Sequence, residues 1–377
     1  MDILPDEADN KDVTSLFPDM YWYQGQRILR KAITLKKKTN MFPLMLSNFS
    51  CGPDSFILSY FEEISKDKPY LILELDEHGS ATGYQTRIEA FCDMIGQYRI
   101  QDNTLEKNHV SRITYHLDKI KDDTKIWIPQ IHAYIPRLWS ALLQHHGFNA
   151  FAMGDETLAE CNMGRSLCRG SECLPMAVTI GKFIASSSNN STDKNALLMP
   201  RAEGPCRFGQ YATLQSRILE RSGLDNAVIF SPTSENGYSF LSPKVERQTW
   251  DIICLGDALF KLRCRTMPYH PDPDTAKKFF DKALKDLCAD IASGRNWKER
   301  IDSLIKRLLI EVDYSQQRKP LVGIVGEIFV RLNTFSNQNV IDVIESSGGE
   351  AWLTPMSEWF HYTWQLVGQK NNLKNKV

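Results

Sequence analysis

Short apolar runs rich in β-forming residues alternate along this chain with longer segments whose apolar residues follow helical spacing. The runs lie at 41–46, 70–75, 125–129, 196–200, 227–230, 321–330 and 350–355. Such alternation is typical of parallel α/β sheets, because parallel strands need a crossover connection. Most of the runs are continuously apolar, as expected for strands that are covered on both faces. The sequence therefore predicts an α/β fold with parallel sheets.

A polar segment divides this pattern into two parts. The stretch SSSNNSTDKN at 186–195 has nothing to bury and is the clearest linker. An N-terminal helical segment at 1–40 and a first α/β lobe at 41–185 would precede it, and a second lobe at 196–377 would follow. Apolar residues at helical spacing predict a helical insertion at about 273–312 within the second lobe. We therefore expect two Rossmann-like lobes with a cleft between them.

The charge balance excludes some classes of partner. The chain carries 45 Lys and Arg against 46 Asp and Glu, a net charge of −1, so no overall basic field attracts nucleic acid or anionic lipid. The N-terminal stretch is acidic rather than cationic, and no window reaches the roughly 18 apolar residues of a membrane span. We expect a cytoplasmic protein that binds neither nucleic acid nor membrane.

The nine cysteines are an odd number and are spread along the whole chain, which argues against a secreted disulfide framework. Three of them share one context, namely Cys51, Cys173 and Cys206. Each lies where an apolar run or a Gly- or Pro-containing turn gives way to a helical pattern. At a helix N-terminus, free backbone N–H groups and the helix dipole favour a thiolate and can donate to sulfur. Ligands also collect beyond the carboxyl ends of strands in open α/β sheets.

Four interpretations of these three cysteines remain open. They could be unrelated core residues, since free cysteine is common in cores. A zinc site would usually need a fourth ligand and closer pairing than this chain offers. A nucleophilic cysteine needs a base, and His132, His145 and His146 lie in no dyad motif. An iron–sulfur cluster held by three thiolates explains the repeated context best.

Several long segments that include these cysteines also resemble a known family. They are WYQGQRILRKA, FPLMLSNFSCGPDSFI, KPYLILELDEHGSATGYQTRIEAF, GRSLCRGSECLP, GPCRFGQY, GIVGEIFVRLNTFSN and GGEAWLTPMSEW. Together they span the chain from about Tyr21 to Trp364. They resemble the 2-hydroxyacyl-CoA dehydratase and benzoyl-CoA reductase superfamily, most closely the dehydratase-like region of acyl-CoA dehydratase activase-related proteins.

The resemblance implies an iron–sulfur electron-transfer, reductase or dehydratase component. In that superfamily an ATP-hydrolysing activator that carries its own iron–sulfur cluster passes low-potential electrons to the dehydratase-like protein. Carried over by position, the ligands of one [4Fe–4S] cluster would be Cys51, Cys173 and Cys206. The resemblance also implies a small-molecule substrate, with an acyl-CoA thioester as the candidate class, and a homo- or hetero-dimer.

Two further features bear on the cluster. The related double-cubane proteins hold an [8Fe–9S] cluster, which needs more ligands, so that Cys161, Cys168 and Cys264 would have to join. Cys168 departs from the family motif, and this makes it a doubtful ligand despite its spacing from Cys173. Arg207, next to Cys206, would either offset cluster charge or pair with a neighbouring acid.

Two polar groups are weaker candidates for catalysis. Glu74, Asp76, Glu77 and His78 follow an apolar run and would supply an acid or base, cap a helix or stay solvated. Glu327 and Arg331 would line the cleft or form a buried ion-pair network within the predicted strand 321–330. The glycines at 79 and 83 do not form a recognisable ATP-binding loop, so a separate activator is implied.

Two other function classes stay open beside the redox component. The chain could be a non-catalytic scaffold or interaction subunit with a structural metal site. It could also be a non-redox CoA-binding enzyme that uses the acidic loop at 74–78.

Overall fold

The computed structural model describes residues 10–48, 52–76, 81–101, 123–187, 194–202, 204, 206–233, 241–312, 315–362 and 365. Within these residues the fold is mixed α/β, and every strand pair is parallel. The predicted α/β class with parallel sheets is therefore confirmed. In the same residues, no helix is both long enough and apolar enough to cross a bilayer.

The strands form three parallel sheets. They are β1 (Leu44–Asn48) and β2 (Leu71–Leu75) in the first sheet, β3 (Lys125–Ile128), β4 (Ala150–Ala152), β5 (Asn195–Leu198) and β6 (Ala227–Phe230) in the second, and β7 (Leu321–Ile324) and β8 (Glu350–Leu353) in the third. Each of the apolar runs predicted as strands overlaps one of these. The strand β4 was not predicted, because its three residues are too few to show a pattern.

The second sheet has the strand order β4-β3-β5-β6. The chain leaves β3 to form β4 on one side and then returns to form β5 on the other side. The carboxyl ends of β3 and β5 therefore flank the point where the direction of winding changes. In open α/β sheets this is the position at which ligands bind.

The predicted linker at 186–195 does not separate two sheets. Its first two residues belong to a helix that ends at Ser187, and its last residue, Asn195, begins β5. Strand β5 pairs directly with β3, with Lys125 opposite Asn195 and Trp127 opposite Leu197. Strands from both sides of the linker thus form one sheet, because the low hydrophobicity of a connection says nothing about which strands it joins. Residues 188–193 lie outside the described part of the chain.

The helices cover the sheets and connect their strands. They are α1 (Asn10–Leu16), α2 (Tyr23–Lys37), α3 (Asp54–Ser65), α4 (Ala81–Gln101), α5 (Ile135–His145), α6 (Leu158–Leu167), α7 (Leu174–Ser187), α8 (Tyr211–Arg221), α9 (Pro243–Thr266), α10 (Pro273–Ala292), α11 (Trp297–Glu311), α12 (Ile328–Leu332) and α13 (Val340–Ser346). Helices α1 and α2 lie in the predicted N-terminal helical segment, and α10 and α11 lie in the predicted insertion. Residues 356–362 are also helical.

The prediction of one long strand at 321–330 is wrong. Strand β7 ends at Ile324, and Gly326 takes a φ of 129°, a conformation that interrupts extended chain and that glycine adopts without strain. The side chain of Glu327 then accepts a hydrogen bond from the N–H of Val330 at 2.7 Å and caps α12. A capped turn of helix therefore replaces the second half of the predicted strand.

Helices α6 and α7 pack with their backbones in close contact. A Cβ atom added at Gly164 would meet the carbonyl oxygen of Ala177, and one added at Gly181 would meet that of Glu160. Only glycine fits at these two positions. This crossing fixes the start of α7, and with it the loop between the two helices.

The first and second sheets share buried contacts. Phe56 of α3, Phe183 of α7 and Leu197 of β5 belong to one hydrophobic cluster and are each fully buried. The ring of Phe56 also stacks on Tyr211, at the start of α8, with centroids 6.0 Å apart. The beginning of α3 is therefore held against the beginning of α8.

Candidate functional site

The site lies at the carboxyl end of β5. After Leu198 the chain passes Gly204 and Cys206, makes a 3-10 turn at Arg207–Gln210 and enters α8. The carboxyl ends of β3 and β5 flank the point where the direction of winding changes, the position at which ligands usually bind in open α/β sheets. Cys206 is exposed. Its thiol is therefore accessible to solvent.

Arg207 joins three segments that are distant in the sequence. Its Nη1 donates to the carbonyl of Gly52 at 3.3 Å, to Oγ of Ser55 at 2.9 Å and to the carbonyl of Ser171 at 3.2 Å. Gly52 follows Cys51 in the sequence, and Ser171 precedes Cys173 by two residues. One guanidinium therefore gathers the loops that carry all three predicted ligands.

The loop between α6 and α7 is held in place by charge-assisted hydrogen bonds. The carboxylate of Glu172 accepts from the N–H groups of Arg169 at 3.1 Å and of Gly170 at 3.0 Å. The guanidinium of Arg169 forms an ion pair with Glu62 of α3 at 2.5 Å. Hydrogen bonds to charged groups are stronger than neutral ones. The loop that leads into Cys173 is thus attached both to itself and to α3.

Tyr211 relates Cys173 to Cys206. Burial raises the pKa of Tyr211, its hydrogen bond to the Cys173 side chain raises it further, and the charges of Cys173, Cys206 and Glu327 act in the same direction. The phenol therefore stays protonated and donates to the sulfur of Cys173, which lies half-buried just before α7. A single buried hydroxyl thus lies within the electrostatic reach of two of the predicted ligands.

Aromatic residues near the N-terminus hold the Cys206 loop. The indole of Trp22 donates to the carbonyl of Gly204 at 3.0 Å, and the hydroxyl of Tyr21 donates to the carbonyl of Cys206 at 3.4 Å. A Cβ atom added at Gly209 would collide with the Tyr21 hydroxyl and with the carbonyl of Ala202. Gly209, the second glycine of GPCRFGQY, is therefore required for this close approach.

The turn that contains Cys51 is described only from Gly52 onward. Cys51 lies outside the described residues, whereas Gly52 takes a φ of 59° and accepts from Arg207. Among the residues that are described, no group of three or more His, Cys, Asp or Glu side chains is placed to hold a metal ion. Two members of the predicted triad, Cys173 and Cys206, belong to the described residues.

Cys168 differs from Cys173 in its surroundings. Its thiol lies 3.6 Å from the sulfur of Met176, and burial together with the charge of Glu172 raises its pKa to about 12. A thiol with such a pKa stays protonated at neutral pH, whereas a metal ligand must be a thiolate. Cys168 would therefore have to lose its proton before it could act as a ligand.

Cys161 and Cys264 are fully buried in other hydrophobic clusters. Cys161 packs with Val178 and Phe329, and Cys264 lies in α9 within the cluster that α5, α9 and α10 share. Burial raises the pKa of Cys264 to about 11. Neither thiol belongs to the cluster against which Cys168 and Cys173 pack.

The weaker catalytic candidates are dispersed. Glu74 is exposed on β2, opposite Ser47 of β1, while Glu77 and His78 lie outside the described residues. The backbone N–H of Asp76 donates to the hydroxyl of Tyr84 at 3.1 Å. Its buried side-chain Oδ1 accepts no hydrogen bond from the described residues.

A buried ion pair between Glu327 and Arg331 was one of two alternatives from the sequence, and the structure has other contacts for both side chains. Glu327 caps α12, and Nη1 of Arg331 donates to the carbonyl of Gly326 at 3.4 Å. Of these two residues, Glu327 influences the cysteine site, because its negative charge helps to raise the pKa of Tyr211.

A buried polar group follows the ends of β3 and β4. The amide of Asn333, which is fully buried, donates to the carbonyl of Gln130 at 2.6 Å and to Glu156 at 2.9 Å. Burial raises the pKa of Glu156 to about 7, although the hydrogen bond from Asn333 opposes the shift. The local sequence around Asn333 gives no sign of these two partners, which lie 203 and 177 positions away in the chain.

Comparison with family models, with curated proteins and with solved structures finds no match for this chain. The site is therefore described by its own geometry. Sequence reasoning missed Tyr211, Ser171 and Ser55, which connect the cysteine loops. A tyrosine five residues after Cys206 at the start of a helix was the available signal.

Proposed function

We propose that this chain binds one [4Fe–4S] cluster through the thiolates of Cys51, Cys173 and Cys206. The observation that supports the proposal best is the position of Arg207, whose guanidinium bonds Gly52, Ser55 and Ser171 and adjoins Cys206 in sequence. One side chain therefore draws together the loops that carry the three ligands. Unrelated core cysteines would give no reason for such a connection.

The residues around the site suit such a cluster chemically. Cys173 and Cys206 lie just before α7 and just before the turn into α8. At such positions, free backbone N–H groups and the positive end of a helix favour a thiolate. When bound, the cluster would supply one-electron redox chemistry. Arg207 would offset its negative charge, and the Tyr211 hydroxyl would donate to a ligand sulfur. Both effects raise the reduction potential.

One cubane accounts for the site better than a double cubane. The [8Fe–9S] alternative needs further ligands. Of the candidates, Cys161 and Cys264 are buried and Cys168 is half-buried, and burial raises the pKa values of Cys168 and Cys264. Cys264 also lies in a different hydrophobic cluster from Cys173. The cluster would therefore keep one iron without a protein thiolate, open to a substrate atom or water.

The electron source and the substrate follow from the resemblance. In the 2-hydroxyacyl-CoA dehydratase and benzoyl-CoA reductase superfamily an ATP-hydrolysing activator reduces the dehydratase-like partner. We propose the same role here for a cytoplasmic chain, with a small substrate of the acyl-CoA class and a dimeric assembly. The sequence shows no ATP-binding loop of its own, which agrees with a separate activator.

The test is reduction of the anaerobically reconstituted protein by such an activator. With ATP present, the visible absorption of the cluster should bleach, and Cys173→Ser and Cys206→Ser should abolish both the absorption and its bleaching. Cys92→Ser is the matched control, because Cys92 is exposed on α4 and outside the site. A chain that binds iron but is never reduced would instead support the scaffold role with a structural metal.

A further inference from the structure

A cavity of about 180 Å³ lies against β8 and the segment that follows it, and neither Cys173 nor Cys206 lines it. Residues of α9, Leu332 and residues 351–357 line it. Phe260, Leu332, Ala351 and Leu353 give it apolar walls. An engineered apolar cavity of about 150 Å³ holds benzene, so this one admits a ligand of roughly six to eight heavy atoms.

The floor of the cavity holds a neutral histidine beside a fixed carboxylate. Nδ1 of His132 accepts from the N–H groups of Tyr134 at 3.0 Å and Ile135 at 3.3 Å, so the ring carries its proton on Nε2. Nε2 lies 3.7 Å from Oδ1 of Asp257. Burial lowers the pKa of His132 to about 4, although Asp257 opposes the shift.

Asp257 is held in its place by the helical segment 356–362. Its two oxygens accept from the N–H groups of Met356 at 2.9 Å and Ser357 at 2.8 Å. These two hydrogen bonds fix the position of the carboxylate at the floor of the cavity. An anion is therefore repelled from the floor of the cavity.

The rim has the opposite charge. Lys261 and Arg265 follow one another by one turn of α9 and line the same cavity. Nζ of Lys261 lies 4.0 Å from the centroid of the Trp352 ring. Nε of Arg265 lies 3.9 Å from Glu350, at the outer limit of an ion pair, and its side chain is 49% exposed. The lining therefore carries two cations, Lys261 and Arg265, against the single carboxylate of Asp257, and the two cations lie on the exposed side.

We propose that this cavity binds a small monocarboxylic acid. Its carboxylate lies at the rim between Lys261 and Arg265, and its apolar chain packs against Phe260, Leu332 and Leu353. The size of the cavity suits an acid of about five carbons, by the comparison with benzene. Binding in this cavity needs neither the cluster nor the activator. A failure of pentanoate to bind and a failure of the chain to bind a cluster are therefore separate results.

The test is a titration of the full chain with pentanoate. Binding is measured by isothermal titration calorimetry and by the broadening of the ligand's proton NMR signals. Pentanamide, which has the same shape and no charge, is the parallel ligand. We expect one pentanoate per chain, with the amide weaker by about two- to fivefold, since one exposed ion pair contributes up to about fivefold in affinity.

Two sets of variants locate the binding. Lys261→Gln with Arg265→Gln should reduce pentanoate affinity to that of the amide and leave the amide unchanged. Lys278→Gln with Lys285→Gln removes the same charge from exposed positions of α10 and should change neither. Thr354→Trp, at a half-buried position in the lining, should block both ligands while circular dichroism shows an intact fold.

Three results would overturn the proposal. The first is the absence of saturable pentanoate binding. The second is equal affinity for the acid and the amide, and the third is pentanoate binding that survives both Thr354→Trp and the loss of the two rim cations. If Thr354→Trp fails to fold, Ala351→Leu fills the same space from the wall and gives the same expectation.

Discussion

The guanidinium of Arg207 donates to the carbonyl of Gly52, 155 positions earlier in the chain, at 3.3 Å. The same nitrogen reaches Ser55 and Ser171, so that one side chain connects the start of α3, the loop before α7 and the turn before α8. An arginine has five donors in a fixed plane and is suited to such bridging. One cation thus connects the loops of the predicted ligands.

Replacement of Arg207 by Gln should loosen this connection. Three carbonyl or hydroxyl acceptors lose a charged donor, so we expect the free energy of unfolding to fall by about 1–3 kcal/mol. Iron uptake on anaerobic reconstitution should fall as well. Denaturant unfolding and iron analysis measure the two effects. Arg221→Gln, at the exposed end of α8, is the matched control and should change neither.

Tyr211→Phe should act on the cluster more than on the fold. Loss of the hydroxyl removes a hydrogen bond to the Cys173 sulfur, which costs about 1 kcal/mol of stability. Removal of a donor to a ligand sulfur also lowers the reduction potential of a cluster. A potentiometric titration of the reconstituted protein measures this. Tyr269→Phe loses a buried hydrogen bond to Glu350 instead and should leave the potential unchanged. Equal potentials for Tyr211→Phe and the parent chain would contradict the placement of this hydroxyl.

Gly181→Ala should disrupt the crossing of α6 and α7. The new Cβ would collide with the carbonyl of Glu160, and relief requires the helix backbones to separate. We expect a loss of about 1–3 kcal/mol, the usual cost of overpacking. Gly96→Ala is the control, since nothing lies near that position on α4 and alanine favours a helix. A Gly181→Ala variant as stable as the Gly96→Ala control would show that the two helices do not pack this closely.

Glu156 should make stability fall as the pH rises. Burial raises its folded-state pKa from the usual 4.5 to about 7, so the folded chain binds this proton more tightly than the unfolded chain does. The resulting stabilisation is complete below about pH 4.5 and is lost between about pH 4.5 and 7. By linkage it amounts to about 3 kcal/mol at most. Glu156→Gln, which keeps the size and a neutral group, should remove this dependence.

Denaturant unfolding at pH 5 and pH 8 measures the difference. Glu345 has a pKa that is also raised to about 7 by burial, so the parent chain keeps part of its pH dependence when Glu156 is replaced. His132 acts in the opposite direction, because its pKa is lowered to about 4 and its contribution grows as the pH rises from about 4 to 6.5. The relevant quantity is therefore the change in unfolding free energy between pH 5 and pH 8, compared between Glu156→Gln and the parent chain. An identical slope for the two would rule out a titrating Glu156.

Local patterns were enough to predict the elements but not their partners. Continuous apolar runs such as YLILEL and AVIF became strands because burial on both faces leaves an unbroken apolar signal. The sequence could not show that β3 and β5 pair across the polar segment 186–195, since strand pairing is set by contacts far apart in the chain. It also missed that Glu327 caps a helix, because a cap depends on the conformation of Gly326.

The local surroundings of the candidate site residues could be predicted from the sequence, but their long-range contacts could not. The sequence predicts Cys173 and Cys206 each just before a helical segment, and the structure has both there, because a helix start after a turn is a local feature. The three acceptors of Arg207 are brought to it only by the packing of α3 and α7 against α8. Tyr211 was missed because its ring belongs to the hydrophobic cluster around Phe56, and only its hydroxyl faces the cysteines.

The central claim is that three thiolates of one chain hold a single [4Fe–4S] cluster. Iron and acid-labile sulfide counted per chain after anaerobic reconstitution test it most directly, with EPR of the reduced protein to identify the cluster. We expect about four iron and about four sulfide per chain, with loss of both when Cys51, Cys173 or Cys206 is changed to Ser. A chain that stays free of iron, or one whose iron content is unaffected by these three substitutions, would contradict the claim.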